Sequence, residues 1–203
     1  MASLLKTSWT DPGILPRNLD PIQSLETFGE PTNSVDRVEQ PRFSAAYPGL
    51  KDVVINGVTV KLKFCDTCQL YRPPRCSHCR QCDNCVEHED HHCIWVNNCV
   101  GRRNYRYFFT FISSISIMCF YVLGFSIAHL VLYWRMQVNE SATGEYPFQE
   151  VLATKFVSLI LAIFTFVFGL SIFALTAYHF YLISKNMTTY EQLRSSVNIQ
   201  EAS

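Results

Sequence analysis

The stretch CDTCQLYRPPRCSHCRQCDNCVEHEDHHCIWVNNCVG, Cys65–Gly101, decides how this chain folds. It holds eight of the nine cysteines and four of the six histidines of a 203-residue chain. Pro, Asn and Asp recur throughout it, and it has too few apolar residues for a conventional core. Something other than hydrophobic burial must hold it together, and residue types of this kind point to metal.

Cys65-x-x-Cys68 and Cys79-x-x-Cys82 are spaced as zinc pairs are: the short turn puts both sulfurs on one side with backbone amides facing them. A redox Cys-x-x-Cys would want a βαβ context, which is absent. Two closed tetrahedral sites need eight ligands, yet Cys65, Cys68, Cys76, His78, Cys79, Cys82, Cys85, His88, His91, His92, Cys93 and Cys99 offer more. Spacing alone does not say which are surplus. Asp90-His91-His92-Cys93 has the composition of a thiol nucleophile with its activators, an imidazole to take the proton and a carboxylate to orient the imidazole. Cys93 as one more metal ligand is the other reading, and spacing leaves both open.

Downstream the composition changes. Tyr107–Trp134 and Phe156–Ile183 contain no Asp, Glu, Lys or Arg, and each exceeds the roughly 20 apolar residues that a membrane-spanning helix needs. Tyr105, Tyr107, Tyr133, Trp134, Tyr178 and Tyr181 gather at their ends, as interfacial aromatics do. Arg102, Arg103 and Arg106 precede the first span and Lys185 follows the second, whereas the connecting segment 135–155 is mostly acidic in its charges. That bias puts both flanks in the cytosol and the connection in the lumen or outside, where Asn139-Glu140-Ser141 forms a sequon close to the membrane. Cytosolic thiols stay reduced, so a disulfide framework is not expected. Cys93 lies a short way before the first span, so its thiol would work at the bilayer surface, where acyl chains are the natural cargo. A formal net charge of zero gives no sign of a nucleic-acid partner.

Upstream, residues 10–50 lack periodicity and read as an extended cytosolic connector. Asn56-Gly57, between two β-branched runs, predicts a hairpin with strands near 52–55 and 58–63. No long internal repeat stands out. The expected architecture is an α-helical membrane protein with two transmembrane helices and a small cytosolic zinc-stabilised cysteine-rich domain with short β-hairpins. Its expected parts are a connector 1–50, the zinc domain 51–106, spans 107–134 and 156–184, a lumenal loop 135–155 and a cytosolic tail 185–203.

The sequence resembles the DHHC protein S-acyltransferases (palmitoyltransferases). The resemblance is carried by CDTCQLYRPPRCSHCRQCDNC, by DHHCIWVNNCVGRRNYRYF, by Asp11-Pro12-Gly13 and by Thr188-Thr189-Tyr190-Glu191, in family order across most of the chain. TDPGILPRN and RPPRCSHC look most like the fungal Ras palmitoyltransferase and its animal relatives. The resemblance implies a first zinc on Cys65, Cys68, His78 and Cys85 and a second on Cys79, Cys82, His92 and Cys99. Cys93 becomes the nucleophile, His91 its base or charge partner and Asp90 the residue that orients His91. Cys76 and His88 are left over. Thr189 would return to contact Asp90, Trp95 would pack near the acyl thioester carbonyl, and Arg102 and Arg103 would meet coenzyme A phosphates or serve only as topogenic charge.

The implied reaction takes a long-chain acyl group from an acyl-CoA such as palmitoyl-CoA to Cys93, and then to a cysteine of a membrane-associated protein. Ras-like GTPases are the implied substrates, with an accessory subunit a further implied partner and the ER or Golgi membrane the implied location. The family has four membrane helices. MASLLKTSW therefore reads as the last turn of an earlier one, and the chain as a fragment. Ile94 stands where proline is commoner. The competing expectations are a membrane-anchored zinc-binding interaction module, or an inactive fragment, and a thiol–disulfide oxidoreductase.

Overall fold

The computed structural model describes residues 2–21, 49–141 and 144–201. The expected connector over 22–48 lies outside the described residues. Two compact units emerge, one built on 106–187 and one on 5–105 with 188–203.

The second unit is a chain of small hairpins. Strands β1 (Leu50–Ile55) and β2 (Val58–Cys65) pair antiparallel around Asn56-Gly57, the turn that both left-handed residues at its centre permit. β2 then pairs with β3 (Leu70–Arg72), β4 (Cys76–Cys79) with β5 (Asn84–Glu87), and β6 (His91–Cys93) with β7 (Asn98–Val100). The apolar interior is slight: Leu70, Val86 and Val100 are fully buried, and the other buried residues around them are mostly cysteines. The sequence reading missed a repeat here. Cys65, Cys79 and Cys93 are 14 residues apart, and each closes the first strand of its hairpin. The period escapes notice because Cys65, Cys79 and Cys93 recur in all three hairpins, whereas Cys68/Cys82, His78/His92, Asn84/Asn98, Cys85/Cys99 and Val86/Val100 recur in only two.

An N-terminal arm wraps this unit. Helix α1 (Ala2–Trp9) ends where the Asn98 and Asn104 side-chain amides donate to its last carbonyls, Asn98 to Ser8 at 3.0 Å and Thr10 at 3.2 Å, and Asn104 to Thr7 at 3.1 Å. These are the orphan acceptors that any helix end must satisfy. Asp11 Oδ1 then accepts from the Gly13 and Ile14 amides, both at 2.9 Å, turning the chain so that Ile14 bridges Val86 of β5. Further on, Asn18 N–H donates to Cys68 O, and Tyr71 N–H to the Asp20 carboxylate. Gly101 is required by this wrapping, since a Cβ there would stand 2.6 Å from the Pro12 carbonyl and 2.8 Å from Val86 Cγ1.

The first unit is a pair of long helices, α2 (Tyr105–Glu140) and α4 (Phe156–Ser184), with a short α3 (Phe148–Thr154) before the second. Their contacts run in opposite senses along the two sequences: Phe108 on His179, Cys119 against Gly169, Phe120 on Phe173 and His129 hydrogen-bonded to Ser158. The helices are therefore antiparallel. At 36 and 29 residues both exceed a bilayer's hydrocarbon thickness. Most of their Phe, Ile, Leu and Val side chains face outward, which a soluble core helix would not allow. The segment 135–155, expected as loop, is partly helical. α2 runs on through Arg135–Glu140, which holds no helix breaker, and α3 begins directly after Pro147.

Gly101→Ala should destabilise the zinc unit by about 1–3 kcal/mol, the ordinary cost of overpacking against backbone that cannot yield. Thermal unfolding of the full chain in detergent checks this, and an unchanged midpoint would show that the Pro12 approach is not tight.

Candidate metal centres and active site

Strand alternation distributes the ligands. Successive side chains of a strand point to opposite faces, so neighbours such as His78 and Cys79 in β4 serve different clusters. Cys65, Cys68, His78 and Cys85 bring their donor atoms within 4.8 Å of one another, and so do Cys79, Cys82, His92 and Cys99. His78 faces Cys85 across the β4–β5 ladder, and His92 faces Cys99 across β6–β7. The His78 Nδ1 to sulfur distances are 3.5, 3.4 and 3.8 Å. Those from His92 Nδ1 are 3.7, 3.3 and 3.7 Å, and Cys82 and Cys99 Sγ are 3.5 Å apart. The edges of a tetrahedron with ordinary zinc–sulfur and zinc–nitrogen bonds are about 3.5–3.8 Å, so both donor sets fit a closed structural zinc. Burial and then the contact with Cys85 push the Cys68 thiol up to about 12, and a cation among the sulfurs would reverse that by favouring the thiolate.

Cys76 stands beside the first cluster rather than in it. Its contact with Cys85 is the leading cause, ahead of burial, that raises the Cys85 thiol. His88 has left-handed backbone (φ 48°) and its amide donates to Arg75 O.

The other face of β6 carries His91 and Cys93, two residues apart and so on the same side. Asp90 is 2% exposed, and three donors satisfy its carboxylate. His91 Nδ1 lies 2.7 Å from Oδ2, the Thr189 hydroxyl 2.9 Å from Oδ2, and the Thr189 amide 2.9 Å from Oδ1. Burial opposes the charged form, but the His91 bond and the Thr189 amide outweigh it and hold Asp90 below its usual value. An ionised carboxylate only accepts, so Nδ1 of His91 carries the proton and Nε2 is left for Cys93. Burial lowers His91, yet Asp90 and then Cys93 raise it to about 9. Cys93 is brought below the usual thiol value, burial being outweighed by His91 and the amides of Trp95 and Val96.

Thr189 opens helix α5 (Thr189–Glu201), and Thr188 caps it. Glu191 N–H donates to Thr188 Oγ1 at 3.2 Å and Thr188 N–H to Glu191 Oε2 at 2.9 Å, a reciprocal capping box. The same Glu191 carboxylate takes both Arg75 Nε at 2.6 Å and a terminal guanidinium nitrogen at 2.9 Å. Asp90 also receives the free amide at a helix N-terminus, where a negative charge is favoured. Sequence reading gave Thr189 a role, assigned none to Arg75, and quoted Thr188 and Glu191 as part of a motif without assigning them one. The Thr-x-x-Glu spacing before a helical run was the available signal for the last two. It also missed Asn98 and Asn104, for which no local signal exists.

Of the remaining site residues, Trp95 is 85% exposed beside Ile94 at the tip of the β6–β7 turn. Arg102 pairs with Glu87 and Arg103 with Asp11.

Residues 58–196 match the family model described as DHHC palmitoyltransferase. The chain belongs to that family. It is 46% identical over 191 residues to Protein S-acyltransferase 8 of Arabidopsis thaliana, covering 94% of this chain and 44% of that protein. It is 44% identical over 200 residues to Palmitoyltransferase ZDHHC14 of Homo sapiens, covering 97% of this chain and 38% of the relative. With Palmitoyltransferase ZDHHC18-A of Danio rerio it shares 42% over 194 residues, covering 96% of this chain and again 38% of the relative. The chain thus spans less than half the length of these curated relatives. Family membership and two long, outward-apolar helices make this an integral membrane protein.

Metal analysis should return two zinc per chain for the full protein. Cys76→Ser should keep both and Cys85→Ser should lose at least one; equal zinc content in the two variants would overturn the division of ligands.

Proposed function

We propose that this chain carries the acyl-transfer centre of a protein S-acyltransferase, with Cys93 as the residue that holds the acyl group. The observation that carries the reading is the relay Thr189–Asp90–His91–Cys93, which ends on the one thiol in β6 that belongs to neither metal cluster. The names of its relatives point the same way.

The first half-reaction takes a long-chain acyl-CoA, palmitoyl-CoA in the simplest case. His91 Nε2 accepts the Cys93 proton, and Asp90 steadies the resulting imidazolium. The Cys93 thiolate adds to the thioester carbonyl, the carbon–sulfur bond to coenzyme A breaks, and the leaving thiolate takes a proton from His91. In the second half His91, now neutral, accepts the proton of a substrate-protein cysteine, whose thiolate attacks acyl-Cys93, and the Cys93 sulfur leaves as a thiolate. One thioester replaces another each time, so the work of the site is thiolate formation and positioning. The two zincs, when bound, hold the hairpins; with every position filled by protein they have no place for water or substrate.

Trp95 sits beside the reacting sulfur in sequence and is exposed, as a residue meeting an acyl carbonyl must be. Arg102 and Arg103 would have to exchange Glu87 and Asp11 for coenzyme A phosphates, so we give them a structural role first. The zinc unit and both chain flanks face the cytosol, and 135–155 faces the lumen of an ER or Golgi membrane, on the charge bias of the flanks. TDPGILPRN and RPPRCSHC favour the Ras palmitoyltransferase subgroup, with Ras-like GTPases as substrates and an accessory subunit as partner.

Incubation with a clickable palmitoyl-CoA analogue should place a hydroxylamine-sensitive label on Cys93, absent from Cys93→Ala. Thr189→Val should lower the labelling rate about 10–100-fold with zinc retained, as loss of an outer-sphere support does elsewhere. Labelling that survives Cys93→Ala would overturn the assignment, and would favour a zinc-binding interaction module with adventitious thiol acylation.

A further inference from the structure

The three hairpins share more than a 14-residue spacing. Cys65, Cys79 and Cys93 pair across their ladders with Leu70, Asn84 and Asn98, so the turns have the same length. The single left-handed residue of each falls at the same place: Gln69 (φ 50°), Asp83 (φ 51°) and Asn97 (φ 49°). In the first two turns the fourth residue is a second metal ligand, Cys68 or Cys82. In the third it is Val96, which is 6% exposed and so points inward as its counterparts do. The turn amides are placed alike: Cys82 N–H donates to Cys79 Sγ at 3.5 Å, Val96 N–H donates to the Cys93 carbonyl at 3.3 Å, and the Trp95 and Val96 amides favour the Cys93 thiolate. Each metal cluster also draws a histidine and a cysteine from the following hairpin. The third turn is followed by helix instead: the positions 14 residues beyond His92 and Cys99 are Arg106 and Ser113, both in helix α2.

We propose that the Cys93 hairpin is a third zinc knuckle emptied of metal, in which Val96 takes the place of the second ligand and keeps the Cys93 sulfur free. The turn amides still favour a thiolate at Cys93, as the Cys82 amide does at Cys79. A buried, donor-free side chain stands where a thiolate would complete a chelate. Val96 would act through the turn, as a positioning residue. The geometry stands on its own, and its use in keeping a nucleophile available rests on the acyl-transfer reading above.

The test restores the missing ligand. In the full chain in detergent, Val96→Cys should retain two zinc and acquire a pair of thiols spaced as in the sister turns. Phenylarsine oxide at near-stoichiometric amounts should then bridge the Cys93 sulfur and the introduced thiol, forming two sulfur–arsenic bonds with loss of water, and a peptide mass should identify the adduct. Acyl labelling should fall at least tenfold and return when 2,3-dimercaptopropanol removes the arsenical. Wild type, with one thiol in the turn, should give no bridged adduct and keep its label. A Val96→Cys protein that holds two zinc but forms no bridge overturns the proposal.

A second measurement needs no new ligand. The Trp95 amide should exchange slowly with deuterium in the wild type despite its exposed side chain, and at least tenfold faster in Cys93→Ala; equal rates overturn the proposal even if Val96→Cys fails to fold. A bridged adduct in Val96→Cys, together with no acyl label on wild-type Cys93, would uphold the knuckle geometry and sink the acyltransferase reading.

Discussion

Each metal cluster takes two ligands from the turn of one hairpin and two from the strands of the next, and the zinc unit depends on that sharing. Cys65 and Cys68 come from the β2–β3 turn, His78 and Cys85 from β4 and β5; Cys79 and Cys82 come from the β4–β5 turn, His92 and Cys99 from β6 and β7. The hairpins are therefore linked in series, each to the next by one cluster. None could stand alone, because a single two-stranded hairpin is marginal in water and the apolar interior here is only a few side chains. Metal coordination supplies the stability that a small domain cannot draw from burial. Loss of either cluster should free the hairpin downstream of it, and the downstream hairpin of the second cluster is the one that carries Cys93.

The two-residue period of a strand resolves how neighbouring side chains do opposite work. His92 faces the second cluster, and its neighbours His91 and Cys93 face the other way. A thiolate bound to zinc is held and partly neutralised, whereas a thiolate beside an imidazolium is available. One step along β6 separates these fates. The same step separates His78 from Cys79, and that alternation interleaves the two clusters along the chain.

The sequence was most legible where chemistry is local. Cys-x-x-Cys spacing announces a metal turn, an uncharged run announces a membrane helix, and Asn56-Gly57 announces a hairpin, each within a few residues. Asp90-His91-His92-Cys93 announced a thiol site but left the thiol's role open, because the role depends on which strand face each residue takes. The long-range contacts were not legible. Asn98 and Asn104 are polar residues in a polar loop until the carbonyls of Thr7, Ser8 and Thr10 arrive from about 90 residues away. Gly101 is one glycine among eight until Pro12 is laid against it. Arg75 and Glu191 carry opposite charges 116 positions apart, and nothing in either neighbourhood names the other. The 14-residue repeat hid for a different reason: most of its residues recur in only two of the three hairpins, and Val96 breaks it at the position where a cysteine would have revealed it.

These long-range contacts converge on the hairpin of the thiol. Its second strand begins at Asn98, whose amide is held by the end of α1, and Asp90, just before its first strand, is held by the start of α5. His92 and Cys99, paired across the ladder, belong to the second metal cluster. The hairpin is thus anchored before, within and opposite its first strand, and the exposed residues Ile94, Trp95 and Asn97 all lie in its turn. In the proposed reaction Cys93 meets first a large thioester and then a protein thiol, and a fixed hairpin would serve both encounters. Rearranging the loop at each step would add an entropic cost to both half-reactions. With the sulfur, its imidazole and the carboxylate fixed beforehand, the proposed transfer would need no rearrangement of the loop.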